Sequence, residues 1–205
     1  ALKHLRNALQ HNPSFADAQR LLEAAEGDLA YPVEAAVAHS AAALATHERA
    51  VALQPESAQA HYNLGMGRKT AGDLGGAIAA LRKAVELHAD YFDARLNLSR
   101  LLREAGHVQD AVAQSAYAVD LRSESAEAHC VHAEALSMAG ATAAALEEIE
   151  RALALRPEAP EVYLNLGNLL TQHFQVERAI EAYRDAIVRA PDVFIARSNY
   201  VFVLN

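Results

Sequence analysis

The chain repeats itself every 34 residues, and no other feature constrains its fold as strongly. Pro157 and Pro191 stand 34 apart, and Pro55 lies three such periods before Pro157. In blocks of 34 counted from Ala58, the starts fall at Ala58, Phe92, Ala126, Pro160 and Phe194. Column seven then holds Leu64, Leu98, His132, Leu166 and Tyr200, and column eight holds Gly65, Ser99, Ala133, Gly167 and Val201. Column fifteen holds Gly72, Gly106, Gly140 and Phe174. Columns twenty and twenty-seven hold only alanine, at Ala77, Ala111, Ala145 and Ala179 and at Ala84, Ala118, Ala152 and Ala186. Such a period means that one supersecondary unit, too small to bury its own apolar face, is stacked on copies of itself.

Each block reads as two helices of about a dozen residues joined by a short turn, with glycine or a small polar residue where the first helix must end. Columns four, seven, eight and eleven make one packing stripe at helical spacing, and columns twenty, twenty-four, twenty-seven and twenty-eight make another. Proline at column thirty-two stops the second helix, because it cannot donate to the ladder and restricts the residue before it. Composition agrees: 47 alanines stand against 9 glycines and 6 prolines, which favours helix and nearly excludes an all-β fold. Alanine and glycine at columns eight, twenty and twenty-seven let neighbouring helices approach closely. The expected fold class is all-α, a right-handed α-solenoid of antiparallel helix pairs.

This pattern resembles the tetratricopeptide repeat, a 34-residue helix–turn–helix unit. The segments Ala60-His61-Tyr62-Asn63-Leu64-Gly65, Ala77-Ile78 through Lys83-Ala84-Val85-Glu86-Leu87, and Val162-Tyr163-Leu164-Asn165-Leu166-Gly167-Asn168 carry the likeness. Its departures are His132 for the column-seven leucine, Phe174 for the turn glycine, and Ala89 and Ser123 for the terminal prolines. The reading gives one solenoid over 1–205, with regular repeats at 58–91, 92–125, 126–159 and 160–193. Residues 1–13 read as the second helix of a partial repeat and 194–205 as the first helix of another. Between them 14–57 is an enlarged repeat, since Pro13 precedes Pro55 by 42 residues and so leaves eight extra. With no initiator methionine and both ends inside a repeat, the chain is expected to be an excerpt of a longer parent or to associate with itself through uncapped ends.

The net charge of −8 argues against tracking nucleic-acid phosphates or binding anionic membranes. No run reaches the roughly 18 apolar residues of a membrane span. The single cysteine, Cys130, cannot form an internal disulfide, which suits a reducing compartment. A cytoplasmic, soluble protein is expected.

In such a stack the first helices line the concave face, and columns two, six and nine form a stripe turned away from the packed columns. Column six holds Asn63, Asn97, Val131, Asn165 and Asn199. An asparagine amide carries donors and an acceptor, so a row of them can pair in bidentate fashion with an extended peptide backbone. The alternative is that these amides only satisfy groups of the scaffold. Column two adds Gln59, Asp93, Glu127 and Glu161, and column nine adds Arg100, Glu134 and Asn168. The groove is therefore expected to lean acidic, with Arg100 its one basic point, and to favour a basic partner. The column-two carboxylates read equally well as complements to helix dipoles.

His129 and His132, at i and i+3, have the spacing of a zinc pair, but they stand in packing columns and no second cluster accompanies them. A structural role is expected, with no metal, no cofactor and no catalytic residue. The family's carboxylate clamp for chaperone tails requires lysine, asparagine and arginine where this chain has Tyr62, Met66, Glu127 and Val131; only Asn97 matches. The expected function is a protein–protein interaction scaffold whose groove holds an extended peptide or partner segment. A competing reading rests on resemblance alone. The asparagine ladder is similar to the arm of O-linked N-acetylglucosamine transferases, and Arg197–Asn205 resembles the partial repeat that leads into the glycosyltransferase domain of bacterial relatives. Any catalytic domain of that kind would lie beyond Asn205.

Overall fold

The computed structural model describes residues 42–192 and 194–204. The expected partial repeat at 1–13 and the eight-residue enlargement lie outside the described residues. Among the described residues the fold is all-helical. A helix over 42–53 (α1) is followed by α2 (Ala58–Thr70), α3 (Leu74–Leu87), α4 (Phe92–Glu104), α5 (Val108–Leu121), α6 (Ala126–Met138), α7 (Thr142–Leu155), α8 (Pro160–Gln172), α9 (Val176–Arg189) and α10 (Phe194–Leu204). From α2 onward each helix packs on the next in sequence. The even-numbered first helices also meet one another: α4 touches α6, α6 touches α8 and α8 touches α10, whereas among the described residues no second helices are in comparable contact. The first helices therefore lie on the inner side of the stack. No helix of the described residues is long and apolar enough to cross a membrane.

The alanine columns are where the helices meet. Ala77, Ala111, Ala145 and Ala179 are fully buried, as are Ala84, Ala118 and Ala152. Column eight is matched to column twenty-four of the same repeat. Gly65 faces Leu81, and Gly167 faces the ring of Tyr183. In the repeat 92–125, Ser99 and Ser115 both donate to the Ala111 carbonyl, at 2.8 and 2.9 Å.

Every complete first helix closes with the same turn. The backbone N–H groups of Asp73, His107, Ala141 and Gln175 reach back to the carbonyls of Arg68, Leu102, Leu136 and Leu170 at 2.8 to 2.9 Å. That ring forces the residue before the donor into the left-handed region, where Gly72, Gly106 and Gly140 sit at φ of 79 to 80°. Phe174 adopts the same turn at φ 57° with its ring 90% exposed, so its side chain gains little burial in return for the strain. We expect Phe174→Gly to stabilise the protein by about 1 kcal/mol and to raise the melting temperature by about 2–4 °C in a circular-dichroism scan. An unchanged or lower Tm would mean that the turn bears no strain.

Proline is not what ends the second helices. They stop at Leu87, Leu121, Leu155 and Arg189, and the next residue is extended each time, with φ between −138° and −143°. Only Arg156 and Ala190 precede proline; Ala89 and Ser123 occupy that column in the other two repeats. What recurs is a bond from the following helix to the column-thirty-two carbonyl. His61 Nε2 lies 2.8 Å from the Pro55 oxygen, and Arg95 Nε donates to Ala89 at 2.6 Å. His129 Nε2 lies 2.9 Å from Ser123, and the Tyr163 hydroxyl donates to Pro157 at 3.0 Å. Column four, placed in a packing stripe by its spacing, thus also supplies a polar tie between successive repeats. A carbonyl that the helix cannot satisfy gains a donor at these four junctions.

Candidate functional site

The column-six asparagines are half-buried on the inner face, and Asn63, Asn97 and Asn199 are already partly engaged. Asn63 Oδ1 accepts from Gln59 Nε2 at 2.9 Å, and Gln59 Oε1 accepts from the Tyr91 hydroxyl at 2.7 Å. Asn97 Nδ2 donates to the Asp93 carbonyl at 2.9 Å and to the Tyr62 hydroxyl at 3.3 Å. Asn199 Nδ2 donates to Asn168 Oδ1 at 2.9 Å, and the Tyr183 hydroxyl donates to the same oxygen at 2.9 Å. Asn165 stands close to the Cys130 thiol. Asn97–Tyr62 and Asn199–Asn168 tie neighbouring repeats together, and all of these bonds alter what the row can offer. Asn63 keeps its N–H pair, while Asn97 and Asn199 keep a carbonyl oxygen. A bidentate clasp at every rung, as the spacing alone suggests, would require giving up an internal bond.

The charges of the groove are paired. Arg100 Nη2 meets Glu127 Oε1 at 2.7 Å, and Arg156 Nη1 meets Glu161 Oε1 at 2.8 Å. Arg103 pairs with Glu134. The expectation that Arg100 is the groove's one basic point is therefore corrected, and its acidic lean is reduced to Asp93. Arg103 stands in column twelve and Arg156 in column thirty-one, outside the stripe used to read the groove, yet their long side chains reach into it. Three carboxylates meet three guanidinium groups, and the field they present to a partner largely cancels. Glu127 and Glu161 remain in the first turns of α6 and α8, where they also complement the helix dipoles. Asp93, in the first turn of α4, makes no ion pair among the described residues.

Between α6 and α8 the inner face is hollowed. One hollow of about 360 Å³ includes Arg100, Glu127, Val131, Glu134, Glu161 and Asn165 in its lining. A second, of about 200 Å³, shares Glu134 and Asn165 and adds Arg103, Asn168 and Gln172. Six of the eleven residues expected at the site thus line one continuous stretch. Gln59, Asn63, Asp93 and Asn97 lie toward α2 and α4, around the Tyr62–Tyr91 pair whose rings are 5.1 Å apart. Asn199 joins the far end through Asn168. Cys130 is on the floor of the larger hollow, and burial pushes its thiol up to about 11, so it is protonated and weakly nucleophilic at neutral pH.

The histidines hold the scaffold. His129 is buried, with Nδ1 2.6 Å from Glu148 Oε2. His132 Nδ1 lies 3.0 Å from Ser115 Oγ, and burial pushes its protonation down from the usual imidazole range. Among the described residues no group of three histidine, cysteine or acidic side chains could hold a metal ion.

Paired helices with a left-handed turn residue, small residues at the crossings and an inner face of first helices define a helical-repeat solenoid. The chain belongs to the tetratricopeptide repeat family: two models of that repeat match residues 70–116 and 130–194, together more than half of the chain. TTC0263, a thermophilic TPR protein of Thermus thermophilus, is similar at 23% identity with a TM-score of 0.68, over 82% of this chain and 92% of that one. MamA is 28% identical with a TM-score of 0.57, over 68% of this chain and 82% of its own. YrrB, described as a TPR protein with an unusual peptide-binding site, is 20% identical with a TM-score of 0.63, over 97% and 98% of the two chains. No curated protein matches the chain significantly in sequence.

Proposed function

We propose that this chain is a protein-interaction scaffold that holds a partner segment along the inner face of its first helices. The observation that carries the reading is the row of Asn63, Asn97, Asn165 and Asn199 on that face, with hydrogen-bonding ends of Asn63, Asn97 and Asn199 left over from the internal bonds. An extended backbone carries one donor and one acceptor per residue and is the natural complement of such a row. YrrB, which shares the fold, supports the reading through its peptide-binding site. Asp93, without an ion pair among the described residues, gives a lysine or arginine of the partner a place near Asn97, whereas the paired carboxylates further along do not select for charge.

The test uses the tightest peptide selected from a random phage library against the wild-type chain, titrated by calorimetry. Asn63→Ala combined with Asn97→Ala removes two hydrogen bonds of about 1 kcal/mol each and should weaken binding roughly tenfold to thirtyfold. Helicity should stay nearly unchanged, while loss of the internal bonds to Gln59, Asp93 and Tyr62 should lower Tm by about 2–4 °C. An unaltered Kd in the double variant would rule the ladder out as the binding element.

A further inference from the structure

We propose that the interface between α5 and α6 is an acid-sensitive joint of the solenoid, built where a histidine set on a serine replaces the apolar contact of the other junctions. The inference is independent of what the inner face holds. From one repeat to the next, columns twenty-four and seven share an apolar cluster: Leu81 with Leu98, Ile149 with Leu166, and Tyr183 with Tyr200. At the α5–α6 junction the same two columns are Ser115 and His132, and the imidazole Nδ1 lies 3.0 Å from the serine Oγ. Ser115 is fully buried and His132 half-buried. A titratable ring therefore stands where apolar packing closes the stack at the other three junctions.

The pair suits a neutral ring. The single Ser115 hydroxyl proton has three acceptors within reach, the Ala111 and Val112 carbonyls at 2.9 and 3.1 Å and His132 Nδ1. A neutral imidazole can accept that proton or donate its own, whereas an imidazolium can only donate, and it brings a full charge into the junction. Burial is the chief reason that His132 is held below the usual imidazole range; His129 and Arg151 add to it, while Glu148 and Asp120 oppose it. Asp120, on α5, is exposed to solvent. On α7 both Glu148 oxygens are taken, one by His129 at 2.6 Å and the other by Arg151 at 2.7 Å, so the buried carboxylate that acts on the ring is already committed. The folded chain thus holds the His132 proton less tightly than the unfolded one. The joint is at full strength above the ordinary imidazole value of about 6.5 and weakens as the pH falls below it. The apolar cluster of Phe92, Leu96, Ala118, Ala128 and Val131 spans the same junction, so acid loosens the joint without severing it. What changes is the registration of α2 to α5 against α6 to α10, with Asn63 and Asn97 on one side and Asn165 and Asn199 on the other.

Amide hydrogen exchange of the full chain, read by mass spectrometry and corrected for intrinsic rates, is compared at about pH 7.5 and about pH 5.5. His132→Leu restores the residue that column seven holds at Leu64, Leu98 and Leu166, and His132→Gln keeps a hydrogen-bonding side chain that takes no proton. In the wild type the opening of α5 and α6 should rise on acidification about threefold to tenfold more than in either variant, tenfold being the limit for a ring that takes no proton when folded. The other histidines are common to all three proteins, so the difference reports His132. An equal acid response in the wild type and both variants would overturn the joint, and so would an acid-induced loss of protection confined to helices other than α5 and α6. If His132→Leu fails to fold, the comparison with His132→Gln decides.

Discussion

With Gly167→Ala the protein is expected to lose about 2–3 kcal/mol of stability, because there is no room for a single added methyl. A Cβ built on Gly167 falls 2.5 Å from Tyr183 Cε1 and 2.6 Å from Cδ1. The ring cannot easily yield. Tyr183 is 2% exposed, packs with Leu170, Ala179 and Ala182, and its hydroxyl is held by Asn168 and Thr171. At the equivalent Gly65 the methyl would meet Leu81 Cγ at 2.9 Å and the Ala77 carbonyl oxygen at 3.2 Å, a milder overlap than the 2.5 Å at Gly167, so Gly65→Ala should cost less. Urea unfolding followed by circular dichroism would rank the two variants. Combining Gly167→Ala with Tyr183→Leu approaches the Ala133–Ile149 pairing of the preceding repeat, and the two changes should couple favourably by about 1 kcal/mol or more. Additive losses would show that the close approach at Gly167 does not limit stability. The same region carries α10, whose Tyr200 and Val203 pack on the Tyr183 cluster, so hydrogen exchange in α8 to α10 should rise before that in α4.

The helix pairs are legible in the sequence because a solenoid writes its packing into columns. Alanine must stand wherever four equivalent crossings demand it, so Ala77, Ala111, Ala145 and Ala179 announce the architecture without any knowledge of contacts. Departures from the columns are legible as positions but not as partnerships. His132 replaces a leucine, and Ser115 stands where other repeats hold Leu81, Ile149 and Tyr183; the structure brings these two polar departures together at 3.0 Å. Taken side by side, they indicate a polar substitution on both sides of one interface. Spacing alone misses the polar tie of column four for a related reason. Its occupants, His61, Arg95, His129 and Tyr163, share no hydropathy pattern, but all four can donate a hydrogen bond, and that common property is the available signal.

The groove is less legible than the core. Periodicity places backbones to within a turn, yet an arginine reaches well beyond its own column. Arg103 and Arg156 enter the inner face from columns that point elsewhere at the Cα, and they neutralise carboxylates that the sequence leaves unopposed. The asparagine row raises a similar difficulty: spacing identifies the amides, while only the three-dimensional arrangement says which end of each is already used. The hollows between α6 and α8 depend on which small residues from two helices fall opposite one another, a relation absent from either helix alone.

Glu148→Ala should be the most destabilising single change outside the glycine contacts, at about 3–5 kcal/mol, since it removes one partner of a buried ionisable pair. His129 is 4% exposed, with one ring nitrogen 2.6 Å from Glu148 Oε2 and the other 2.9 Å from the Ser123 carbonyl. The second carboxylate oxygen of Glu148 accepts from Arg151 at 2.7 Å, so both oxygens of the glutamate are engaged. Truncation leaves the buried imidazole with nothing to replace the carboxylate, and it also loosens the ring that satisfies Ser123 at a junction lacking proline. Glu148→Gln keeps an acceptor at the same reach and should cost only about 1–2 kcal/mol, the difference between a charge-assisted and a neutral bond. Thermal and urea unfolding of the two variants, with amide exchange at the α5–α6 junction, separate the outcomes. If alanine and glutamine behave alike, packing volume and not the His129 bond is what Glu148 contributes. If alanine costs less than about 1 kcal/mol, the tie between these repeats is carried by the alanine crossings alone.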